Sequence, residues 1–385
     1  MQELFHISFS GISTFKLILL LAFTALLLIR ILYLLLVTGG IIFKRKQTDE
    51  VQSGEPISML LTYRNEEENL LNYLPEILKI DNTNFEVVAV DDFSQDNSLS
   101  VLGVMKNGNG KLRISSLNQE TRFSEKLAQN IALKAAKNSW VMVIPASISV
   151  FGERWLQSIS GCLTSGKDVV MNYTNIVQTG HFYNRLFRIE LFWQQVKSAG
   201  FTACGIPFVY SEENVAFRKE KYFEAGGYGQ KVKEPFANLE LLINKFIRKK
   251  KVDIRFQKET SIQKDEQVKR HNYFNLLKKS IRIERNLPGY KRAVLFIDDW
   301  TRLLFLPLLA VVIVFVSELW LLITIAIGFK IIIHLFIIKT TLNHLNERKI
   351  FISSLLYELL MPYYKVFYRW HFNRRSRKQR WRSNI

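Results

Sequence analysis

The sequence predicts an α/β protein whose mostly parallel sheet carries helices on both faces, joined to membrane-spanning helices. Three observations predict this class. Apolar strands alternate with amphipathic helices between residues 56 and 144. Polar and acidic residues gather where three of those strands end. Two long apolar zones bracket the polar part of the chain.

Leu17–Val37 is almost wholly apolar, with Arg30 its only charge. At helical rise this run of about 21 residues spans about 30 Å, enough to cross a bilayer. A secretory signal would put a basic segment first and a shorter apolar run. Here Glu3 and a single Lys16 come first, and Lys44-Arg45-Lys46 follows, so a retained anchor is expected. Thr48–Glu55 is polar and reads as a linker. Pro56–Leu61 reads as a buried strand. Asn65–Lys79 has helical spacing, with Leu70, Leu71, Leu74, Ile77 and Leu78 on one face and acids in the first turn. Phe85–Val90 is a second strand, ending at Asp91-Asp92. Asn97–Val104 resumes a helix, Leu112–Ser115 is a third strand, Phe123–Asn138 is helical, and Trp140–Ile144 is a fourth strand. In such sheets ligands bind beyond the strands' carboxyl ends. Thr62–Arg64, Asp91-Asp92 and Pro145–Ser147 all fall there.

The second apolar zone is Leu303–Val316, then Ser317-Glu318, then Leu319–Ile338, the pattern of a tight transmembrane hairpin with Trp300 and Arg302 extending its first arm at the interface. His334 shares its apolar helix with Lys330 and is expected to pack or to face the hairpin interior. Ile350–His371 is apolar but holds Glu358, Pro362, Lys365 and Arg369. It reads as an amphipathic interfacial helix, a fourth crossing being the alternative. Basic residues mark cytoplasmic segments. Lys44–Lys46 and the tail Arg374–Arg382 then place the N-terminus outside and the polar domain in the cytoplasm, in a multi-pass protein of the inner (plasma) membrane.

The formal net charge is +19, from 53 Lys and Arg against 34 Asp and Glu. Anionic headgroups account for it, so membrane lipids are the expected partner. No nucleic-acid recognition motif occurs, and no nucleic-acid partner is expected. The two cysteines, Cys162 and Cys204, have no metal-ligand spacing and suit buried thiols in a reduced compartment. The six histidines are scattered, which gives no hydrolytic triad.

Two segments carry a family resemblance. Ser58-Met59-Leu60-Leu61-Thr62-Tyr63-Arg64-Asn65-Glu66-Glu67-Glu68-Asn69-Leu70 is followed by Phe85–Val90 and Asp91-Asp92-Phe93-Ser94-Gln95-Asp96-Asn97-Ser98. Together they resemble the opening of glycosyltransferase family 2, with Thr62 where a proline usually stands. Ser124-Glu125-Lys126 continues the likeness. So do Asn214-Val215-Ala216-Phe217-Arg218-Lys219 and Tyr222–Tyr228, similar to an acceptor-side segment. The resemblance implies a GT-A fold, Rossmann-like, and sugar transfer from a nucleotide-sugar to a lipid-linked or envelope glycan acceptor. It implies nucleotide-sugar contacts from Thr62, Arg64, Glu66, Asp91, Asp92 and Lys126, and acceptor-side contacts from Asn214, Arg218 and Arg282. Asp91 or Asp92 can accept from a uracil or guanine edge and a ribose hydroxyl. Arg64 and Lys126 can meet phosphate.

The family's usual catalytic groups are replaced. Its Asp-x-Asp, which helps hold Mg²⁺ or Mn²⁺, aligns with Pro145 and Ser147, so no metal ligand is expected. Its acidic pair aligns with Ala237-Asn238, and an amide cannot act as a base. Of its Gln-x-x-Arg-Trp, only Arg282 remains, within Lys279–Ile283. Glu234 or Glu240 could supply the base by a loop shift. Glu212 and Glu213 could line the site, and Lys126 and Arg282 could supply charge in place of a metal. The alternatives are a non-catalytic nucleotide- or glycan-binding partner of an active transferase, and a membrane scaffold. The expected organisation is an anchor over 1–43, a cytoplasmic GT-A-like domain over 44–300, a transmembrane hairpin over 301–340, and an interfacial helix with a basic tail over 341–385.

Overall fold

The computed structural model describes residues 13–43, 54–80, 84–121, 123–152, 154–163 and 166–382, without the side chains of residues 43 and 371–382. Lys44–Lys46, most of the predicted linker and the side chains of the basic tail lie outside the described residues. The chain divides into two compact units. One comprises Met1–Gly40, Pro288–Asn343 and Arg348–Ile385; the other comprises Ile41–Leu287 with His344–Glu347.

The larger unit is built on ten strands. They are β1 (Ile57–Tyr63), β2 (Phe85–Asp91), β3 (Leu112–Ser116), β4 (Trp140–Val143), β5 (Ile148–Phe151), β6 (Val169–Asn172), β7 (Thr174–Ile176), β8 (Val215–Arg218), β9 (Val252–Arg255) and β10 (Ile262–Lys264). Seven form one sheet in the order β3-β2-β1-β4-β8-β6-β9, and β5-β10-β7 form a second. β1 pairs in parallel with β2 and β4, and β2 with β3, while β8 runs antiparallel to both its neighbours. Every residue of β2 is buried, as expected of a strand covered on both faces. The helix Glu67–Leu78 buries Leu70, Leu74, Ile77 and Leu78. Leu71, predicted to share that face, is 50% exposed. It sits about 100° around the helix from Leu70, at the edge of the apolar stripe. Cys162 is buried, whereas Cys204 is exposed because it terminates the helix Phe182–Ala203.

A short return segment closes this unit. Glu347 is buried and accepts from the Tyr173 hydroxyl (2.9 Å) and the Asn175 amide (2.7 Å). Its second oxygen pairs with Arg188 at 2.6 Å.

The smaller unit contains the helices Thr14–Tyr33, Gly289–Phe315, Trp320–His344 and Phe351–Arg382. Two segments, Thr14–Ile42 and Ser317–His344, are long and apolar enough to cross a membrane, each with mean hydropathy 2.6. The two arms of the expected hairpin are helices joined by a 3₁₀ turn, Ser317–Leu319, and of the two only the second is among the segments apolar enough to cross. Phe23 and Leu27 of the first helix cluster with Phe305, Val312 and Ile323 of the next two, while Leu28, Val314, Ile332 and Phe336 are exposed. Pro307 cannot donate to the carbonyl of Leu303. The Tyr363 hydroxyl donates to that carbonyl instead, at 3.0 Å. The predicted Ile350–His371 helix is the start of one longer helix.

Candidate functional site

Beyond the ends of β1, β2 and β4 charged side chains from several elements converge. The register sets Tyr63 beside Asp91 and Asp91 beside Ser116. The loops after β1 and β2 are stitched together. The Asn65 N–H donates to Ser94 Oγ (2.9 Å), and Asn65 Oδ1 accepts from the Gln95 N–H (2.7 Å). The Glu66 N–H donates to Ser98 Oγ (3.0 Å) and the Glu67 N–H to Asp96 Oδ2 (3.1 Å). Asn65 adopts φ +55°, a left-handed turn that asparagine tolerates better than most residues. Much of the double motif is therefore architecture.

Asp92 is not consumed in this way. Its main-chain N–H donates to the Tyr63 carbonyl at 2.8 Å. Its carboxyl is buried, and Oδ1 has no hydrogen-bond partner among the described residues. Burial raises its proton affinity, against the Ser124 hydroxyl and the Arg64 charge. The Tyr63 hydroxyl is also buried without a partner among the described residues. Asp91, in contrast, accepts from the Ser94 N–H at 3.2 Å. Arg64 is exposed and pairs with Glu120 at 2.8 Å. Thr62 is half-buried at the end of β1. Glu66 is half-buried too, accepts from Asn69, and has its pKa raised by burial.

The turn after β4 takes a different form from a metal site. Ser147 Oγ donates to Glu266 Oε1 at 3.1 Å. The buried Lys264 ammonium lies between Glu266 (2.8 Å) and Glu213 (3.0 Å). Burial would weaken that ammonium, but the two carboxylates outweigh it and hold its proton firmly. Burial likewise favours protonated Glu266, and the Lys264 charge overrides it, so its carboxyl titrates below the usual range. A divalent ion is what the resemblance implies here, and these residues do not fit one. Pro145 offers no donor atom, and Ser147 offers a neutral hydroxyl already committed to Glu266. The two nearest acids share an ammonium. Among the described residues no group of three acidic, histidine or cysteine side chains could hold a metal ion.

Opposite this turn stands a carboxylate that sequence reasoning passed over. Glu125 opens the helix Ser124–Ala135. Its side chain is exposed to solvent and crowded by neighbouring charged groups. Desolvation first, then repulsion from Glu212 and Asp92, push its pKa up to about 7, against Lys279 and Lys126. Asn238 Nδ2 donates to Glu125 Oε1 at 2.5 Å. Asn238, which the resemblance sets at the family's acidic pair, thus meets a carboxylate from another element. Lys279, on the helix Arg270–Asn286, pairs with Glu212 (3.1 Å) and Glu240 (3.4 Å). Glu240 is fully buried and also accepts from the Asn238 N–H at 2.9 Å.

The remaining expected site residues are placed less centrally. The Lys126 ammonium donates to the carbonyls of Lys231 (3.1 Å), Val232 (3.3 Å) and Glu234, so it anchors a loop. Asn214 is fully buried. Its amide donates to the Tyr173 and Thr260 carbonyls (3.0 and 2.9 Å) and accepts from Trp155 Nε1 (3.3 Å). Arg218 pairs in register with Trp140, the first residue of β4, and its guanidinium lies 4.8 Å from that indole. That is about 10 Å of strand away from the carboxyl end of β4. Arg282 and Glu234 do come together, at 3.7 Å.

The family model Glycosyl transferase family 2 matches residues 58–223, which span β1 to just past β8. Residues 58–223 thus resemble a glycosyltransferase family 2 domain. The fold is shared with the mannosyltransferase PcManGT from Pyrobaculum calidifontis, solved with GDP-Man and Mn²⁺. That match has 15% identity and TM-score 0.54, over 89% of this chain and 97% of that one. S. aureus TarS 1–349 in complex with UDP matches at 16% identity and TM-score 0.41, over 60% and 65% of the two chains. M. tuberculosis glucosyl-3-phosphoglycerate synthase in complex with Mn²⁺ and UDP-Glc matches at 14% and 0.42, over 63% and 83%. No curated protein matches significantly. The chain thus has a GT-A-like scaffold.

Proposed function

We propose that this chain is a membrane-integrated transferase that takes a nucleotide-sugar into a cleft beyond the ends of β1, β2 and β4 and passes the sugar to a lipid-linked or envelope glycan acceptor without a divalent ion. The observation that carries the reading is Asp92. A buried carboxylate short of one donor is destabilised, and a ligand bringing an N–H or O–H relieves it. With Asp91 it stands where a base edge and ribose would lie, flanked by Thr62 and Arg64. Glu125, steadied by Asn238, takes the proton from the acceptor hydroxyl. The freed oxygen bonds to the anomeric carbon as the sugar–phosphate bond breaks, and that electron pair leaves with the nucleoside diphosphate. Lys279 supplies positive charge within the cleft. Thr14–Ile42 crosses the inner membrane, the helices Gly289–Phe315 and Trp320–His344 cross it out and back, and the basic segments keep the family 2 domain cytoplasmic.

A second reading is a non-catalytic partner of an active transferase. Pro145, Ser147 and Asn238 favour it, because none offers the usual catalytic carboxylate. One experiment separates the two. Purified protein with UDP- or GDP-sugars and a membrane lipid extract in EDTA should release nucleoside diphosphate. Glu125→Gln should slow release at least about a hundredfold and leave nucleotide-induced heat stability intact. Stabilisation without release supports the binding partner. If no nucleotide stabilises the protein, both readings fail.

A further inference from the structure

A second concentration of ionisable groups lies among the membrane helices, within the smaller unit. Arg30 sits near the middle of Thr14–Ile42, and Lys330 near the middle of Ser317–His344. Lys330 is more than about 15 Å of helix from either end, too far for its side chain to reach a headgroup region. Charges at such depth face the bundle interior or a cavity and mark function by default.

Most of these charges are matched. Asp298 Oδ1 meets Arg30 Nη1 (3.0 Å) and Arg302 Nε (3.1 Å). Glu358 Oε1 meets Arg30 Nη2 (3.5 Å) and Arg302 Nη1 (3.7 Å), and its other oxygen lies 2.5 Å from His334 Nε2. Two arginines thus balance two carboxylates. Arg302, expected at the interface, is turned inward by Asp298. Lys330 is not balanced. Its ammonium lies 4.3 Å from the centre of the Phe305 ring, and no carboxylate among the described residues comes within ion-pair distance. Beside it is a cavity of about 420 Å³, lined by Lys330, Arg30, Arg302, His334 and Glu358 and otherwise mainly by apolar side chains such as Leu309 and Ile331.

A space with apolar walls and one surplus cation suits an amphiphile bearing an anion. We propose that this cavity draws the phosphate-bearing head of a membrane lipid below the ordinary headgroup depth, with Lys330 as its counter-charge. The phosphate oxygens accept from the ammonium and lie against the two guanidiniums, which favour that geometry. The acyl chains follow the outward apolar helix faces. A zwitterionic phospholipid carries its own counter-charge and gains less.

The test uses the full chain in nanodiscs of phosphatidylcholine with and without phosphatidylglycerol, followed by native mass spectrometry. The wild type should retain one phosphatidylglycerol, and Lys330→Met should retain it about tenfold less or worse. Lys330→Arg should keep it. Leu309→Trp, which fills the cavity and leaves the charge, should lose it. Equal retention by Lys330→Met, or equal retention of phosphatidylcholine, overturns the proposal. So does displacement of the lipid by inorganic phosphate at matched concentration, which would assign the cavity to a free anion. Nucleotide-induced stability of the family 2 domain should be unchanged in every variant. That keeps this result separate from the fate of the cleft reading.

Discussion

Glu125→Gln should stabilise the protein at alkaline pH while slowing transfer at least about a hundredfold. The folded state lifts the Glu125 pKa from 4.5 to about 7, through burial and then Glu212 and Asp92. Between those values the folded chain binds more protons than the unfolded chain, so stability falls as pH rises from about 4.5 to about 7 and then levels. The full shift corresponds to about 3.4 kcal/mol. The side chain is reachable by solvent, so screening reduces this to about 1 kcal/mol. Glutamine has no charge to repel. At pH 8 the variant should therefore melt about 2–4 °C above wild type. At pH 5, where Glu125 is already protonated, the two should melt together. Thermal melts at both pH values decide the matter. A variant less stable than wild type at pH 8, or a difference independent of pH, would refute the assignment of strain to this carboxylate. Transfer by the wild type should fall about tenfold per pH unit below 7 as the base is protonated.

Other perturbations follow from the same contacts. Asp92→Asn should leave the melting temperature unchanged or higher and weaken nucleotide binding about tenfold or more, read by calorimetry. Glu347→Ala leaves Arg188 buried without its carboxylate and should cost about 3–5 kcal/mol. That cost lowers the melting temperature by about 6–20 °C. Lys264→Ala frees Glu213 and Glu266 from their shared ammonium. Mn²⁺ should then raise the heat stability of the variant and not that of the wild type.

Local signals made the scaffold legible. Continuous apolar runs located β1, β2 and β4 within two residues, because strands covered on both faces need such runs. The Asp91-Asp92 corner was readable for the same reason, being the polar break after one of those runs. The working groups of the cleft were not readable. Glu125 looks like an ordinary helix-start acid, and only the loop carrying Asn238 reveals its setting. Lys264 and Lys279 carry no local signal, and each meets glutamates from other elements, Glu213 for one and Glu212 and Glu240 for the other. Asn214 and Lys126 matched a motif by residue type, but the carbonyls they meet make them brackets. Arg218 matched too, and antiparallel pairing carried it to the wrong end of the sheet. Residue type fixes what a side chain can do, and long-range packing fixes whether it does so.

The most direct measurement is calorimetric titration of the intact protein with UDP- and GDP-sugars, in EDTA and again in Mn²⁺. A cleft that recognises the nucleoside through Asp91-Asp92 and keeps a lysine between its acids should bind one of these donors with the same affinity in both solutions. Binding that appears only with Mn²⁺ would contradict it.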